Sequence, residues 1–330
     1  MIGGILAAVG NTPLVSLVRL FPEESLRIFA KVEGLNPGGS SKDRPALAIL
    51  EAALETGEVK PGTTIVESSS GNMGIGLAQF CAYHDLPLIC VVDSKTTLQN
   101  RRILEAYGAR LEVVTEPDPE TGELLQARLK RVEQLVQLHR PAYWPNQYAN
   151  HENAGAHFRT TMAEIVNELG APPDYLFCAT STCGTLRGCL ESVKRHGYPT
   201  QLVAVDAVGS LIFSSIAEPR QIPGLGAGLC PPLCPSPEDC VVLHVSDLDC
   251  ITGCRTLVRR EAILAGGSSG GVVSALGRYR HRIPDGSTCV LILPDRGERY
   301  LDSVYSDEWV FEHYGATALE EMTAQKLQRV

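Results

Sequence analysis

Four clusters of glycine and hydroxyl residues stand where a short apolar run gives way to a longer amphipathic stretch: Asn36–Pro45, Glu67–Gly74, Thr180–Thr185 and Gly266–Gly271. Around them, short β-branched runs alternate with segments of helical period. Strands are expected at Thr64–Glu67, Leu88–Val92, Arg110–Val114, Tyr175–Ala179, Leu202–Asp206 and Cys289–Leu293. Helices are expected at Gly74–His84, Leu98–Tyr107, Leu124–His139, Gly184–Arg195 and Val272–Tyr279. Strand–helix alternation with short loops predicts an α/β chain whose sheets are mostly parallel and covered on both faces. In such sheets ligands bind at the carboxyl ends of the strands. Helix N-termini there offer free N–H groups and the positive end of a dipole, which suits anions.

A length of 330 residues is comfortable for two lobes sharing a cleft. The chain carries 29 basic and 38 acidic residues, a net charge of -9, so its surface as a whole does not attract nucleic acid or anionic membrane. No apolar run approaches the ~18–20 residues that span a bilayer. The apolar start, Met1–Gly10, lacks a basic flank and runs into Asn11-Thr12-Pro13, so it reads as mature structure and the cytoplasm as the location. The eleven cysteines are scattered. Cys230/Cys234 and Cys250/Cys254 share a spacing of four, which without a close histidine favours free thiols over structural zinc. Gly224–Gly228 lacks the register of a dinucleotide fingerprint and follows Pro223 rather than a strand. Ile222–Asp239, rich in Pro, Gly and Cys, is expected to be an irregular loop.

Each cluster has a bland reading and a chemical one. Pro45 suits the first turn of a helix, so Lys42 stands just before that helix. An amine there sits near the positive dipole end, which disfavours its charged form and prepares it as a Schiff-base nucleophile. Taken alone, it reads more readily as a surface lysine in a charged turn. Ser69, Ser70 and Asn72 can clamp a carboxylate or simply cap a helix. The Thr180–Thr185 turn can cradle a phosphate, although it lacks the spacing of a nucleotide P-loop. In Gly266–Gly271 a serine hydroxyl can meet a ring nitrogen without imposing charge.

In order along the chain, Asn11–Val15, Asn36–Arg44, Ser69–Met73, Gly266–Gly270 and Ile292–Pro294 resemble the fold-type II pyridoxal-phosphate (PLP) enzymes of the cysteine synthase and cystathionine β-synthase family. The resemblance runs from about Ile5 to about Trp309. It implies a tryptophan synthase β-like fold of two open α/β domains with the cofactor in the cleft. The smaller domain would be 36–147, and 1–35 plus 148–330 the larger. It implies that Lys42 carries the cofactor, that Asn72 bonds its phenolic oxygen, and that Ser268 faces its pyridine nitrogen. Ser69, Ser70, the Met73 backbone and Gln147 would hold the substrate carboxylate. A neutral serine at the ring nitrogen limits the electron sink and suits β-elimination over transamination. The family also suggests a homodimer acting on small amino-acid substrates.

Two departures from the sulfhydrylase pattern narrow the expectation. Where those enzymes read Gly-Thr-Gly-Gly-Thr, this chain reads Ser181-Thr182-Cys183-Gly184-Thr185. Phosphate holding would fall to this loop, above all Thr182, Gly184 and Thr185, with Ser181 turned toward substrate. Asp295-Arg296 replaces serines ahead of Gly297-Glu298-Arg299. With Trp144–Asn150 and Tyr305–Trp309, these features resemble one branch, the N-(2-amino-2-carboxyethyl)-L-glutamate synthases. That resemblance implies joining O-phospho-L-serine to L-glutamate on the way to 2,3-diaminopropionate and siderophores such as staphyloferrin B. An acceptor with two carboxylates needs a local cation, for which Arg128 and Arg296 are candidates, with Tyr148 as a hydrogen-bond partner. Sulfide or homocysteine as acceptor, and a non-catalytic PLP-binding paralogue, are the alternatives.

Overall fold

The computed structural model describes residues 3–23, 25–94 and 96–327; Met1 and Ile2, at the head of the apolar start, lie outside the described residues. After a short 3₁₀ turn at Gly4–Ala8 come β1 (Leu14–Ser16) and β2 (Arg27–Val32), then α1 (Asp43–Glu55). The chain continues through β3 (Thr64–Ser68), α2 (Asn72–Tyr83), β4 (Leu88–Asp93), α3 (Leu98–Ala106), β5 (Arg110–Val114), α4 (Leu124–Leu138) and β6 (Ala142–Tyr143). Next are α5 (His151–Ala156), a π-helical turn at His157–Thr161, α6 (Met162–Leu169), β7 (Tyr175–Ala179), α7 (Gly184–His196) and β8 (Gln201–Ala207). The remainder is β9 (Val241–Val245), α8 (Asp247–Glu261), α9 (Gly267–Tyr279), β10 (Thr288–Leu293) and α10 (Asp307–Leu327), the last broken at Gly315.

Two sheets result. One has the order β5-β4-β3-β6 and is parallel throughout. The other has the order β1-β2-β10-β7-β8-β9, parallel except for the β1 edge. Every residue of β4 and of β10 is buried, as the continuous apolar runs Leu88–Val92 and Cys289–Leu293 require of strands covered on both faces. Around the larger sheet the core includes Phe177, Val205, Leu257 and Leu291; around the smaller, Ile65, Leu77, Phe80 and Leu104. Among the described residues no helix is long and apolar enough to cross a membrane.

Two helices begin earlier than their hydrophobic periodicity predicts. α2 starts at Asn72 rather than Gly74, because Ser69 Oγ accepts from the Gly74 N–H at 2.8 Å and so pins the first turn. α9 starts at Gly267 rather than Val272, so its glycines are helical. They are there for contact: a Cβ on Gly270 would lie 1.9 Å from the Cys250 carbonyl oxygen, and one on Gly253 2.0 Å from that of Gly270. Bare backbones let α8 and α9 cross closely, which seats Ser268 in the interior.

Candidate active site

Lys42 is the residue that immediately precedes α1. The first turn of that helix is clamped from behind. Arg44 donates to Glu33 at 2.7 Å and to Glu164 at 2.6 Å, and Lys31 lies 2.9 Å from Glu164. Removing either partner would strand a buried charge, so this network fixes where α1 begins. From the front, the Lys42 loop is stitched to the exit of β10. The Ser41 N–H donates to the Pro294 carbonyl at 2.7 Å, Ser40 pairs with Asp295, and the Arg296 N–H reaches the Gly39 carbonyl at 3.2 Å.

Lys42 lines a cavity together with the wall formed by Ser181, Thr182, Cys183, Gly184 and Thr185. That wall is the N-terminus of α7, and Cys183 turns the chain into it with φ of 64°. Burial pushes the Lys42 amine below the usual lysine range, against the opposing pull of Asp295 and Glu33. An amine whose charged form burial disfavours therefore shares the cavity with a helix end that welcomes an anion. Asn153 ties the wall down, donating to Thr182 Oγ1 at 3.2 Å and to the Gln147 carbonyl at 2.7 Å.

The other expected residues take the following places. Asn72 is the first residue of α2; its Nδ2 donates to Asp295 Oδ2 at 2.8 Å and its Oδ1 accepts from Arg299. Ser69 is buried, and because its Oγ is the acceptor for Gly74 N–H, its own O–H stays available as a donor. The Ser70 carbonyl accepts from Asn100 at 3.0 Å, and Met73 is buried in the first turn of α2. Gln147 donates from its side chain to the Ser68 carbonyl at 3.2 Å and from its backbone to Glu67 at 3.3 Å. Ser268 is buried in the first turn of α9. Arg128 lies 3.3 Å from Asp93 at the end of β4, and its charge is felt by the half-buried Tyr148. Arg296 is not brought to the Lys42 cavity. Its guanidinium donates to the Gly34 carbonyl at 2.6 Å and lines a separate depression with Leu35, Leu264 and Glu298.

Sequence reading passed over four residues at this site. His157, in the π-helical turn, touches Thr185; Asp295 and Arg299 hold Asn72, and Tyr300 donates to Asp295. Three of them lie in the segment singled out for its departure from the sulfhydrylases, so a signal existed, but only Arg296 was drawn from it. The paired cysteines do not build a metal centre. All eleven cysteines are free, and among the described residues no group of His, Cys, Asp and Glu could hold a metal ion.

The donor set suits a phosphorylated pyridine aldehyde. A depressed amine can take the aldehyde, a helix N-terminus with threonine hydroxyls the phosphate, and an amide and a neutral hydroxyl the ring oxygen and nitrogen. Asp295 Oδ1, buried and without a hydrogen-bond partner, is one polar atom left over near Asn72, and Asp43 Oδ1, next to Lys42 in sequence, is another. Comparison with known proteins agrees with this chemistry. The chain is 46% identical over 306 residues to an N-(2-amino-2-carboxyethyl)-L-glutamate synthase of Ralstonia nicotianae (strain ATCC BAA-1114 / GMI1000), covering 93% of this chain and 90% of the relative. A hydrogen sulfide-producing enzyme from Fusobacterium nucleatum superposes with a TM-score of 0.84 at 31% identity, over 91% of this chain and all of that one. O-ureido-L-serine synthase superposes with a TM-score of 0.85 at 29% identity, over 95% of this chain and 96% of that one. Residues 5–295 match the family model for pyridoxal-phosphate dependent enzymes, and with the fold and the Lys42 cavity in agreement the chain belongs to that family.

Proposed function

We propose that this enzyme joins O-phospho-L-serine to L-glutamate, giving N-(2-amino-2-carboxyethyl)-L-glutamate and phosphate. One C–O bond breaks at the donor's Cβ and one C–N bond forms there. The observation that carries the reading is a single cavity in which the Lys42 amine faces the N-terminus of α7. The 46% identity to the Ralstonia synthase favours glutamate as acceptor.

When bound, PLP supplies an electron sink that acidifies the donor's Cα–H. Lys42 holds the cofactor and, once released from it, moves the Cα proton as general base. Thr182, Gly184 and Thr185 hold the cofactor phosphate; Ser181 and Cys183 shape the same turn, with Ser181 nearer the substrate. Asn72 donates to the ring's phenolic oxygen, and the neutral Ser268 hydroxyl meets the ring nitrogen. Ser69, Ser70, the Met73 N–H and Gln147 bind the donor carboxylate. Arg128 and Tyr148 take the acceptor's carboxylates. Arg296, held at the Gly34 carbonyl away from the Lys42 cavity, takes no part in this scheme. The proposal keeps 36–147 as the smaller lobe, since β3–β6 lie within it, and 1–35 with 148–330 as the larger. It includes a homodimer in the cytoplasm.

The rival acceptor is sulfide, which the same replacement at Cβ would turn into cysteine. Mass spectrometry of holoenzyme reactions separates the two. O-phosphoserine with glutamate, in competition with sulfide, should give the carbon–nitrogen product and phosphate. Cysteine as the sole product would overturn the proposal.

A further inference from the structure

Asn72 is held on two sides by ionisable side chains. Its Nδ2 donates to Asp295 Oδ2 at 2.8 Å, and its Oδ1 accepts from the Arg299 guanidinium. A flipped amide would set N–H against N–H at Arg299 and oxygen against carboxylate at Asp295. Each of the two contacts therefore dictates the same orientation. With one Nδ2 hydrogen taken by Asp295 and the oxygen taken by Arg299, a single N–H remains.

The pinning groups are themselves fixed. Tyr300 O–H donates to the same Asp295 Oδ2 at 2.6 Å, and Asp295 is only 3% exposed. Asp295 Oδ1 lies against Gly266, where a Cβ would approach it to 2.0 Å, so the glycine makes room for a carboxylate. The second arm of Arg299 donates to the Gly38 carbonyl, in the loop that carries Lys42. Asp295 pairs with Ser40 of that loop as well. Thus 295–299 ties together the α2 N-terminus and the Lys42 loop.

From this geometry we infer that Asp295 and Arg299 are positioning residues which lock the Asn72 amide so that it can only donate, never accept, at the cofactor's phenolic oxygen. The inference rests on the cofactor role proposed for Asn72. A donated hydrogen bond favours the ionised oxygen; an amide free to flip loses that preference. Asp295→Asn removes the carboxylate charge and leaves one acceptor oxygen of two, which weakens the hold on Asn72 Nδ2 and so lets the amide turn.

The absorption of the bound cofactor reports the ionisation of its phenolic oxygen without any turnover. At fixed pH and full cofactor occupancy, D295N should lower the ratio of the long-wavelength to the near-ultraviolet band by about tenfold. Arg299→Lys, an independent handle should D295N fold poorly, should lower it by roughly threefold or more. In an Asn72→Ala background, adding D295N should move the ratio by less than about twofold, since both act through one amide. An unchanged ratio in both single variants would overturn the inference and leave the proposed function standing. So would an equal shift with Asn72 removed. A wild-type protein that takes up no cofactor would overturn both together.

Discussion

His157 Nε2 lies 3.1 Å from the hydroxyl of Thr185, in the first turn of α7. The other ring nitrogen, Nδ1, lies 2.8 Å from Thr161 Oγ1. Burial, and the nearby Lys42 and Arg44, push this imidazole well below the usual histidine range, so it is neutral, with one donor and one acceptor nitrogen. If Thr161 donates to Nδ1, Nε2–H donates to Thr185 and leaves the Thr185 proton for a phosphate oxygen. His157→Phe should weaken cofactor affinity by about tenfold, because Thr185 loses the partner that turns its proton toward the phosphate. His157→Gln, which can still donate, should recover most of it. Fluorescence titration of the apoprotein with PLP measures both.

Glu67 lies beneath Gln147 and Trp144, and burial pushes its carboxyl up to about 7 despite three backbone N–H donors and the indole of Trp144. A raised folded value means the folded state binds the proton more tightly than the unfolded chain. Its stability contribution is then complete below the unfolded value near 4.5 and is lost as pH rises through about 7. Between those limits Glu67 should tilt unfolding free energy downward by roughly 1.4 kcal/mol per pH unit. Glu67→Gln carries a constant packing offset but no titration, so the wild-type minus variant difference should slope across pH 5–7. Urea denaturation at stepped pH reads it, and a flat difference would contradict the assignment.

Arg128 is mostly buried and its Nε lies 3.3 Å from Asp93 Oδ2 without making a hydrogen bond. A buried guanidinium whose Nε–H is not committed can turn to an incoming carboxylate. Arg128→Ala should raise KM for glutamate by about tenfold or more while phosphate release from O-phosphoserine alone changes by less than about twofold. Equal losses in the two half-reactions would remove Arg128 from the acceptor site.

Cys234 packs on Cys183 of the α7 turn, and hydrogen bonding from Cys183 and Cys230 brings its thiol down to about 7. The same contact with Cys234, and then burial, drives Cys183 the other way. At pH 8, limited iodoacetamide should label Cys234 several-fold faster than the buried cysteines, with peptide mapping as the readout. Chelator treatment should leave the melting temperature unchanged, since among the described residues no group of His, Cys, Asp and Glu could hold a metal ion.

What sequence could reveal follows from which forces act locally. β3, β4, β7, β8 and β10 were legible because strands buried on both faces need continuous apolar runs such as Leu291-Ile292-Leu293. β2 was not, since Arg27 and Lys31 interrupt it; Lys31 is fully buried only because Glu164 and Glu168 neutralise it from a distant helix. The start of α9 was hidden because Gly267–Gly271 read as a turn, and only the approach of α8 explains glycines inside a helix. At the site, Lys42, Asn72 and the Ser181–Thr185 turn belong to local motifs with helix-start chemistry. Asp295, Arg299 and His157 gain meaning only through contacts across the fold, to Asn72 and Thr185. Arg296 stood in the right segment, yet the pairing of its backbone with Gly39 and Ala265 sends its side chain elsewhere.

The cavity places one amine, that of Lys42, against a helix end suited to phosphate, and everything proposed depends on that amine carrying the cofactor. Borohydride reduction of the holoenzyme, followed by digestion and mass spectrometry, tests it most directly. The pyridoxyl group should be recovered on the peptide containing Lys42, and Lys42→Ala should leave no reduced adduct. Recovery of the label on another lysine, or an undiminished adduct in the variant, would contradict the account.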